Sequence, residues 1–463
     1  MVRDKLTRRK AIQLSGAGAT GLLAGCIGGD NGDDDNEVHI LTDFANEAWQ
    51  TYWEDDLVPS WEEDNPEVPL NVEYAGFEGT GEQRLATLMQ AGDAPEFYHA
   101  TLAEMGDLVN QGMTVAVNDV VDDLESSWGG EVLFKDTITP IGDEVHSIPH
   151  GVYLGGVLNY RADVYEALDL EVPETWDELL ENARAIDEAG GELADMRGFG
   201  LPAVPAGKSG SDFSNWLFNS GGWIWEYANN GGDEVELWFD EQHVMPVFEL
   251  LQELAQYSPD PSSVNWGSTI EMWIGGRFGQ CLFNNAWLCG PAFFAGAEEV
   301  ALNTKQAFVP MREGADPFQR GWVLVNGTPL FDGASNPEGA MDFKRYMYGP
   351  ERHVEVSLIE PMRFIPPYES ILEEDAYRNA DLFQVEDGVF LERNQFVMNE
   401  IAPHLQSDVT PTTPGTLHAG AFNITDEMTN QLIVEERDPQ QVYDDTVERF
   451  ESRIEEARDV AAY

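Results

Sequence analysis

Lysine is almost absent from this chain of 463 residues, and basic residues of either kind are scarce. Lysine and arginine together number 25, against 85 aspartates and glutamates, which gives a formal net charge of −60. Beyond residue 25 the lysines are Lys135, Lys208, Lys305 and Lys344. A protein binds DNA or RNA by neutralising phosphates with basic side chains. The composition therefore excludes a nucleic-acid partner.

The acidic residues do not form the long blocks of like charge that are typical of disordered tails. They alternate with apolar residues, and 42% hydrophobic residues with 13 tryptophans supply ample material for a core. A carboxylate-rich surface with little lysine is similar to that of proteins from extreme halophiles. Because salt screens the self-repulsion of such a surface, we expect the fold to be more stable at high ionic strength.

Cysteine is scarce as well, since the chain contains three. Three cysteines are too few for the disulfide framework that stabilises small secreted proteins. Cys26 is assigned below to an N-terminal signal, which leaves Cys281 and Cys289. Two alternatives remain for this pair, a single disulfide bridge or two buried thiols.

Motifs of common enzymes are also missing. The sequence contains no Gly-x-Ser-x-Gly nucleophile motif, no His-Glu-x-x-His metal motif and no Walker loop. His146 and His150 lie four residues apart, but Pro149 between them excludes a helical metal-binding pair. We therefore predict no enzyme activity, no catalytic residue, no metal site and no cofactor.

The N-terminus carries an apolar run, residues 11–24, that is too short and too rich in glycine for a membrane span. The run follows Thr-Arg-Arg-Lys at residues 7–10, a start that is typical of proteins exported in folded form by the twin-arginine (Tat) route. It ends in Leu-Ala-Gly-Cys, which resembles the lipobox of bacterial and archaeal lipoproteins. We expect residues 1–25 to be a Tat-type lipoprotein signal peptide and Cys26 to carry the lipid.

Residues 26–36 contain almost no apolar side chains that could pack, so they are predicted to form a flexible acidic tether. The expected location of the protein is the extracellular face of the cytoplasmic membrane, with membrane contact through the lipid on Cys26.

The rest of the chain is longer than one core usually supports, which predicts two lobes. A strand is predicted over residues 38–42 and another over residues 70–74, and a helix precedes and follows the second strand. Tryptophans at helical spacing mark the buried face of the first helix: Trp49, Trp53 and Trp61. Strands that alternate with helices are typical of a parallel α/β sheet.

Several blocks in the correct order resemble the extracellular solute-binding proteins of ABC importers, of the maltose-binding type. Pro-Glu-Thr-Trp-Asp-Glu-Leu at residues 173–179 matches the family's Pro-x-Thr-Trp-Asp-Glu-Leu. Ala-Gly-Asp-Ala-Pro-Glu at residues 91–96 is similar to its Ala-Gly-x-x-Pro-Asp. Residues 275–287 are similar to a stretch that ends in Gly-x-Trp, and Asn-Pro-Glu-Gly-Ala at residues 336–340 begins a matching helix.

The resemblance implies an α/β, two-lobed periplasmic-binding-protein-like fold of the class II type, with a ligand cleft between lobes joined by crossing hinge strands. It implies an N-terminal lobe of residues 37–150 plus 310–358 and a C-terminal lobe of residues 151–309 plus 359–463. The crossings are expected near residues 151–155, 309–310 and 359–361. Ligand binding is expected to close the lobes about these hinges.

Candidate ligand-binding residues are aromatic side chains that could stack on a sugar ring and polar groups at strand ends. Asp43 and Phe44 follow the first strand, Glu78 follows the second, and His99 and Thr101 follow residues 95–98. The resemblance adds Tyr153 in the crossing segment and Trp287 in the Gly-x-Trp position. The remaining candidates are Trp223, Trp322 and Arg363.

The resemblance implies a monomeric binding protein that captures a sugar or related polar small molecule and delivers it to the permease subunits of an ABC transporter. A polyamine, phosphoester or metal-ion receptor of the same fold is an alternative. A secreted glycoside hydrolase, which would use two carboxylates as acid and base, is an alternative of another class. The sequence names neither the ligand nor the permease.

Overall fold

The structure is a computed structural model that describes residues 36–76, 80–99, 108–109, 112–135, 144–227, 235–317, 320–405 and 415–460. The predicted signal peptide, Cys26 and nearly all of the predicted tether lie outside the described residues, as do the candidate ligand-binding residues Glu78 and Thr101. In the described part of the chain, no helix is both long and apolar enough to cross a membrane.

Twelve strands are present in the described residues, and they form one large sheet and three smaller ones. They are β1 (Val38–Thr42), β2 (Leu70–Tyr74), β3 (Phe97–His99), β4 (Thr114–Val115), β5 (Ile148–Leu154), β6 (Val157–Arg161), β7 (Trp225–Tyr227), β8 (Val235–Leu237), β9 (Gln280–Leu282), β10 (Thr304–Phe308), β11 (Val323–Thr328) and β12 (Leu330–Phe331). The sheets have the orders β2-β1-β3-β12-β4, β10-β6-β9, β11-β5 and β7-β8.

The helices of the first half are α1 (Glu47–Tyr52), α2 (Val58–Asp64), α3 (Thr80–Ala91), α4 (Asn118–Trp128), α5 (Ala162–Leu168), α6 (Trp176–Asp187) and α7 (Lys208–Asn219). Those of the second half are α8 (Glu241–Gln256), α9 (Trp266–Ile274), α10 (Cys289–Phe294), α11 (Glu298–Asn303), α12 (Pro337–Tyr348), α13 (His353–Ser357), α14 (Glu369–Glu373), α15 (Asp375–Arg378), α16 (Val389–Phe396), α17 (Gly415–Ile433) and α18 (Pro439–Val460). Among the described residues, two π-helical turns occur, at Trp53–Leu57 and Val397–Ile401.

The large sheet is the centre of the N-terminal lobe. Its strand β1 pairs in parallel with β2 on one side and β3 on the other. The predicted strand–helix–strand pattern is confirmed, and Trp49, Trp53 and Trp61 are buried against this sheet as their helical spacing predicts. Parallel pairing brings the carboxyl ends of β1 and β3 to the same edge of the sheet.

The sheet β10-β6-β9 belongs to the C-terminal lobe and is covered by α6, α7 and α8, whose apolar faces share one core. A capping box begins α6, because the Thr175 hydroxyl accepts from the Glu178 N–H while the Glu178 carboxylate accepts from the Thr175 N–H. Cys281 and Cys289 are free and buried, which decides between the two alternatives in favour of thiols.

The two lobes are joined by the antiparallel ribbon of β5 and β11. Val323 pairs with Leu154 at one end and Thr328 with Ile148 at the other, and β11 leads directly into β12 of the large sheet. Before this return, Met311 still bridges to Thr175 of the C-terminal lobe. The two-lobed α/β architecture agrees with the prediction, whereas the exact lobe boundaries stay a prediction.

Candidate functional site

Six predicted ligand-binding residues come from distant parts of the sequence and meet where the large sheet ends against the crossing ribbon. Asp43 and Phe44 follow β1, His99 ends β3, and Tyr153 lies on β5. Trp287 lies in the turn after β9, and Arg363 lies in a segment that pairs with β5 through a bridge from Ile365 to Val152.

Arg363 is the centre of this group. Its Nε donates to the Tyr153 hydroxyl at 2.8 Å, and its Nη1 donates to Oε2 of Glu360 at 2.6 Å. Its guanidinium carbon lies 4.7 Å from the ring centres of both Phe44 and Trp287. These distances suit cation–π attraction, and the planar guanidinium is well adapted to such stacking. A buried cation is thus paired with one carboxylate and lies within cation–π distance of two aromatic rings.

Asp43 is the second charged group of the site. Its side chain is buried, with 8% exposure, and its Oδ1 has no hydrogen-bond partner among the described residues. Burial raises the pKa of Asp43 to about 7, since the nearby charge of Arg363 offsets only part of the desolvation and Glu82 and Glu360 add to it. An oxygen in this state can accept a hydrogen bond from a ligand hydroxyl.

His99 is fully buried behind Phe44, whose ring centre lies 4.5 Å away. Its Nε2 is 3.4 Å from Nδ1 of His150 on β5. Burial holds the pKa of both imidazoles well below the usual value, so both are neutral near pH 7. A neighbouring imidazole adds to this lowering in each case, His150 for His99 and His353 for His150. His99 thus lies behind Phe44, among the buried side chains that pack beneath the site.

Trp322 and Trp223 lie near the crossing ribbon on the side of the C-terminal lobe, and both are buried. Trp322 covers Gly155, where a Cβ atom would lie 2.4 Å from the indole ring, so the close approach requires glycine at that position. Trp223 packs against Phe218 at the end of α7, with ring centres 4.5 Å apart.

Three further residues of the site were not among the sequence candidates. Glu360 pairs with Arg363 and also accepts from the Trp49 indole N–H at 2.6 Å, so a tryptophan predicted to be core also contacts the site. Phe364 packs against Tyr153 with ring centres 4.5 Å apart. The spacing of Glu360 and Arg363, three residues apart, was the available signal for their ion pair, whereas nothing in the sequence connects Glu360 to Trp49.

No group of three or more His, Cys, Asp or Glu side chains that could hold a metal ion occurs within the described residues. The polar groups that do converge are one arginine, two carboxylates and a tyrosine hydroxyl, surrounded by aromatic rings. A small number of polar groups among apolar and aromatic side chains is typical of small-molecule sites.

Comparison with known proteins identifies the family of this chain. The model of the bacterial extracellular solute-binding protein family matches residues 44–352, which is more than half of the chain. A curated relative is the Escherichia coli protein YcjN, which bears the name of an ABC transporter periplasmic-binding protein and is 21% identical over 262 residues. That match covers 54% of this chain and about half, 55%, of the relative.

Solved structures show the same fold. A solute-binding protein of an ABC transporter from Thermotoga lettingae, solved with α-D-tagatose, has a TM-score of 0.70 at 15% identity over 90% of this chain and 99% of its own. One from Agrobacterium radiobacter, solved with ribitol, has a TM-score of 0.70 at 16% identity over 90% and 98%. The GacH receptor of Streptomyces glaucescens, solved unliganded and with acarbose, has a TM-score of 0.70 at 15% identity over 91% and 99%. With the family match over residues 44–352, these findings show that the chain belongs to the bacterial extracellular solute-binding proteins.

Proposed function

We propose that this protein is the substrate-binding component of an ABC importer and that it captures a sugar or a related polyol between its lobes. The bound molecule is then presented to the permease subunits of the transporter. Relatives of the same fold that were solved with α-D-tagatose and with ribitol support this ligand class.

The observation that carries the proposal is the hydrogen-bonded pair of Arg363 and Tyr153, which lies among aromatic rings near Asp43, whose buried Oδ1 has no hydrogen-bond partner among the described residues. A sugar or polyol offers hydroxyl groups that both donate and accept hydrogen bonds, together with C–H faces that pack on aromatic rings. Arg363 supplies donors, Asp43 supplies an acceptor, and Phe44, Trp287 and Phe364 supply the rings.

The burial of the site supports a mechanism of hinge closure. Tyr153, Trp287 and Arg363 are buried, so in this proposal a ligand reaches them when the lobes separate about the β5–β11 ribbon. In this proposal the N-terminal lobe comprises residues 37–150 plus 310–358 and the C-terminal lobe comprises residues 151–309 plus 359–463. The transporter distinguishes the closed form from the open form, and the ligand shifts the protein towards the closed form because it binds that form more tightly.

The remaining parts of the proposal concern location and chemistry. Export by the Tat route and a lipid on Cys26 would hold the protein at the outer face of the cytoplasmic membrane, with residues 26–36 as its tether. The protein acts as a monomer in a salt-rich medium and performs no reaction on its ligand.

The test is thermal unfolding of the purified protein in molar KCl against D-tagatose, ribitol, D-mannitol, maltose, spermidine and glycerol 3-phosphate. A ligand that binds only the folded state raises the melting temperature by mass action. A shift with one of the first four compounds, with no product formed, supports the proposal. A shift with spermidine or glycerol 3-phosphate alone would replace the ligand class, and consumption of a glycoside would make the protein a hydrolase.

The carboxyl group of Asp43 predicts how binding responds to pH. An ionised carboxylate accepts hydrogen bonds from ligand hydroxyls more strongly than the neutral acid does. Because the pKa of Asp43 is about 7, we expect the affinity for a sugar or polyol to fall roughly tenfold as the pH is lowered from 8 to 6. Isothermal titration calorimetry of the unmodified protein measures this fall.

In Asp43→Asn the affinity should be weaker and should change little over the same range. Asp342→Asn is the matched control, because the Asp342 side chain is exposed on α12 and should leave the pH dependence intact. An affinity that is constant from pH 6 to pH 8 in the unmodified protein would contradict the role given to Asp43.

A further inference from the structure

Asn285 joins three separate segments of the site through one buried side chain. It lies two residues before Trp287, in the turn after β9, and is fully buried. Its Oδ1 accepts from the Leu154 N–H at 2.9 Å, and its Nδ2 donates to the carbonyls of Val152 at 3.2 Å and Arg363 at 2.7 Å. Its backbone N–H also donates to the Leu154 carbonyl, at 3.1 Å.

The chemistry of these bonds is specific to asparagine. A primary amide has two N–H donors and a carbonyl acceptor, and Asn285 directs both kinds of group to partners on the two crossing segments. Its backbone is left-handed, with a φ of 49°, a conformation in which asparagine is enriched among residues other than glycine. Aspartate keeps the acceptor but, when ionised, has no donor.

The three segments held by Asn285 are those that carry the central side chains of the site. Tyr153 lies between the two β5 residues that Asn285 bonds, Arg363 contributes its own carbonyl, and Trp287 follows in the same turn. The turn belongs to the C-terminal lobe, whereas β5 is the crossing strand itself. A change at Asn285 therefore moves these three side chains relative to one another.

We propose that Asn285 is the positioning residue of the ligand site, which sets Tyr153, Trp287 and Arg363 in register at the junction of the lobes. The effect of Asn285 on ligand binding rests on the proposed function. The three hydrogen bonds of its side-chain amide, here called the amide clamp, are a property of the ligand-free protein. The two parts can therefore be tested separately.

The first arm uses the full chain without ligand and measures hydrogen exchange of backbone amides by mass spectrometry. In Asn285→Gly, which retains the left-handed turn but removes the side chain, we expect exchange at Leu154 to be at least tenfold faster. Ile365, which donates to the Val152 carbonyl at 3.0 Å, should also exchange faster. Gly155 donates to the Trp322 carbonyl in the ribbon and serves as the internal reference.

The second arm measures binding of D-tagatose, ribitol, D-mannitol and maltose to Asn285→Asp by calorimetry. At pH 8 the ionised aspartate faces two buried carbonyls, and we expect a roughly 10- to 100-fold loss of affinity relative to the unmodified chain. At pH 5.5 the protonated acid regains one donor, so the deficit should shrink at least threefold. The charged groups at this junction are Arg363, Glu360 and Asp43, and the comparison with the unmodified chain at each pH removes their own titration.

Asn379→Asp is the control, since it makes the same chemical change in an exposed side chain whose Nδ2 donates to the Asp375 carbonyl. Exchange at Leu154 and Ile365 that is unchanged in Asn285→Gly would overturn the clamp, whether or not a ligand binds. Faster exchange with undiminished affinity would overturn the positioning role. If none of the four compounds binds the unmodified chain, the ligand class of the proposed function fails and the exchange arm alone decides the inference.

Discussion

Replacing Arg363 by methionine should weaken the binding of a sugar or polyol by about 100-fold or more. The guanidinium lies at the centre of the site, where it donates to Tyr153 and Glu360 and lies 4.7 Å from the ring centres of Phe44 and Trp287. Its removal eliminates the donors offered to ligand hydroxyls and leaves the partly buried carboxylate of Glu360 without its cation. Truncating one partner of a buried charged pair costs about 2–5 kcal/mol.

Further variants separate the loss of binding from a loss of stability. Arg363→Lys retains the charge but not the planar fork of donors, so its affinity should lie between those of the methionine variant and the unmodified protein. Arg363→Met combined with Glu360→Gln removes the unpaired charge and should recover thermal stability without recovering affinity. Arg345→Met removes a partly exposed ion pair with Asp123 and should change neither quantity appreciably.

Calorimetry in molar KCl with D-tagatose, ribitol, D-mannitol and maltose measures each affinity. A Kd for Arg363→Met within threefold of the unmodified value would show that the ligand does not depend on this cluster. The binding site would then have to be sought elsewhere in the protein.

Replacing Lys344 by methionine should stabilise the fold by about 3 kcal/mol at pH 7. Lys344 lies on α12 and is fully buried, and its Nζ has no hydrogen-bond partner in the described part of the chain. The ammonium lies 4.6 Å from the ring centre of Phe97, which offsets some of the cost of burying it. Methionine has a similar volume and fills the same space without a charge.

The direction of the pH dependence follows from the pKa of Lys344. Burial lowers it from the ordinary value of 10.5 to about 7, so between these values the unfolded chain carries a proton that the folded protein lacks. The stability of the unmodified protein therefore rises with pH across this window, as far as Lys344 contributes. The gain from Lys344→Met should be greatest near and below pH 7 and should vanish as the pH approaches 10.5.

Urea unfolding of both proteins at pH 7, 8.5 and 10 measures the difference and cancels the titration of the other groups. Lys305→Met is the matched control, because Lys305 is exposed on β10 and its replacement should change the free energy of unfolding little at any of these pH values. A gain for Lys344→Met that is independent of pH would contradict a buried, neutral lysine.

Local sequence rules predicted the elements of this fold well, because the interactions that decide those elements span only a few residues. The helical spacing of Trp49, Trp53 and Trp61 predicted their burial, and the strands predicted over residues 38–42 and 70–74 are β1 and β2. The order of the family blocks then predicted the two-lobed architecture. Periodicity did not predict that Trp49 also reaches the site, since the same indole fills the core with its ring and donates through its N–H to Glu360.

Composition and pattern by themselves determined that this chain is an acidic α/β protein long enough for two lobes, and the resemblance of its ordered blocks added the solute-binding family, because all of these are properties of the linear chain. Tertiary structure alone decided that Arg363 meets Tyr153, 210 residues earlier in the chain, and that both meet Trp287. It also decided that Asn285 bonds three segments at once and that the Lys344 side chain lies in an apolar interior. These outcomes depend on how the crossing strands pack and on which groups lose contact with water, and no local rule of sequence specifies either.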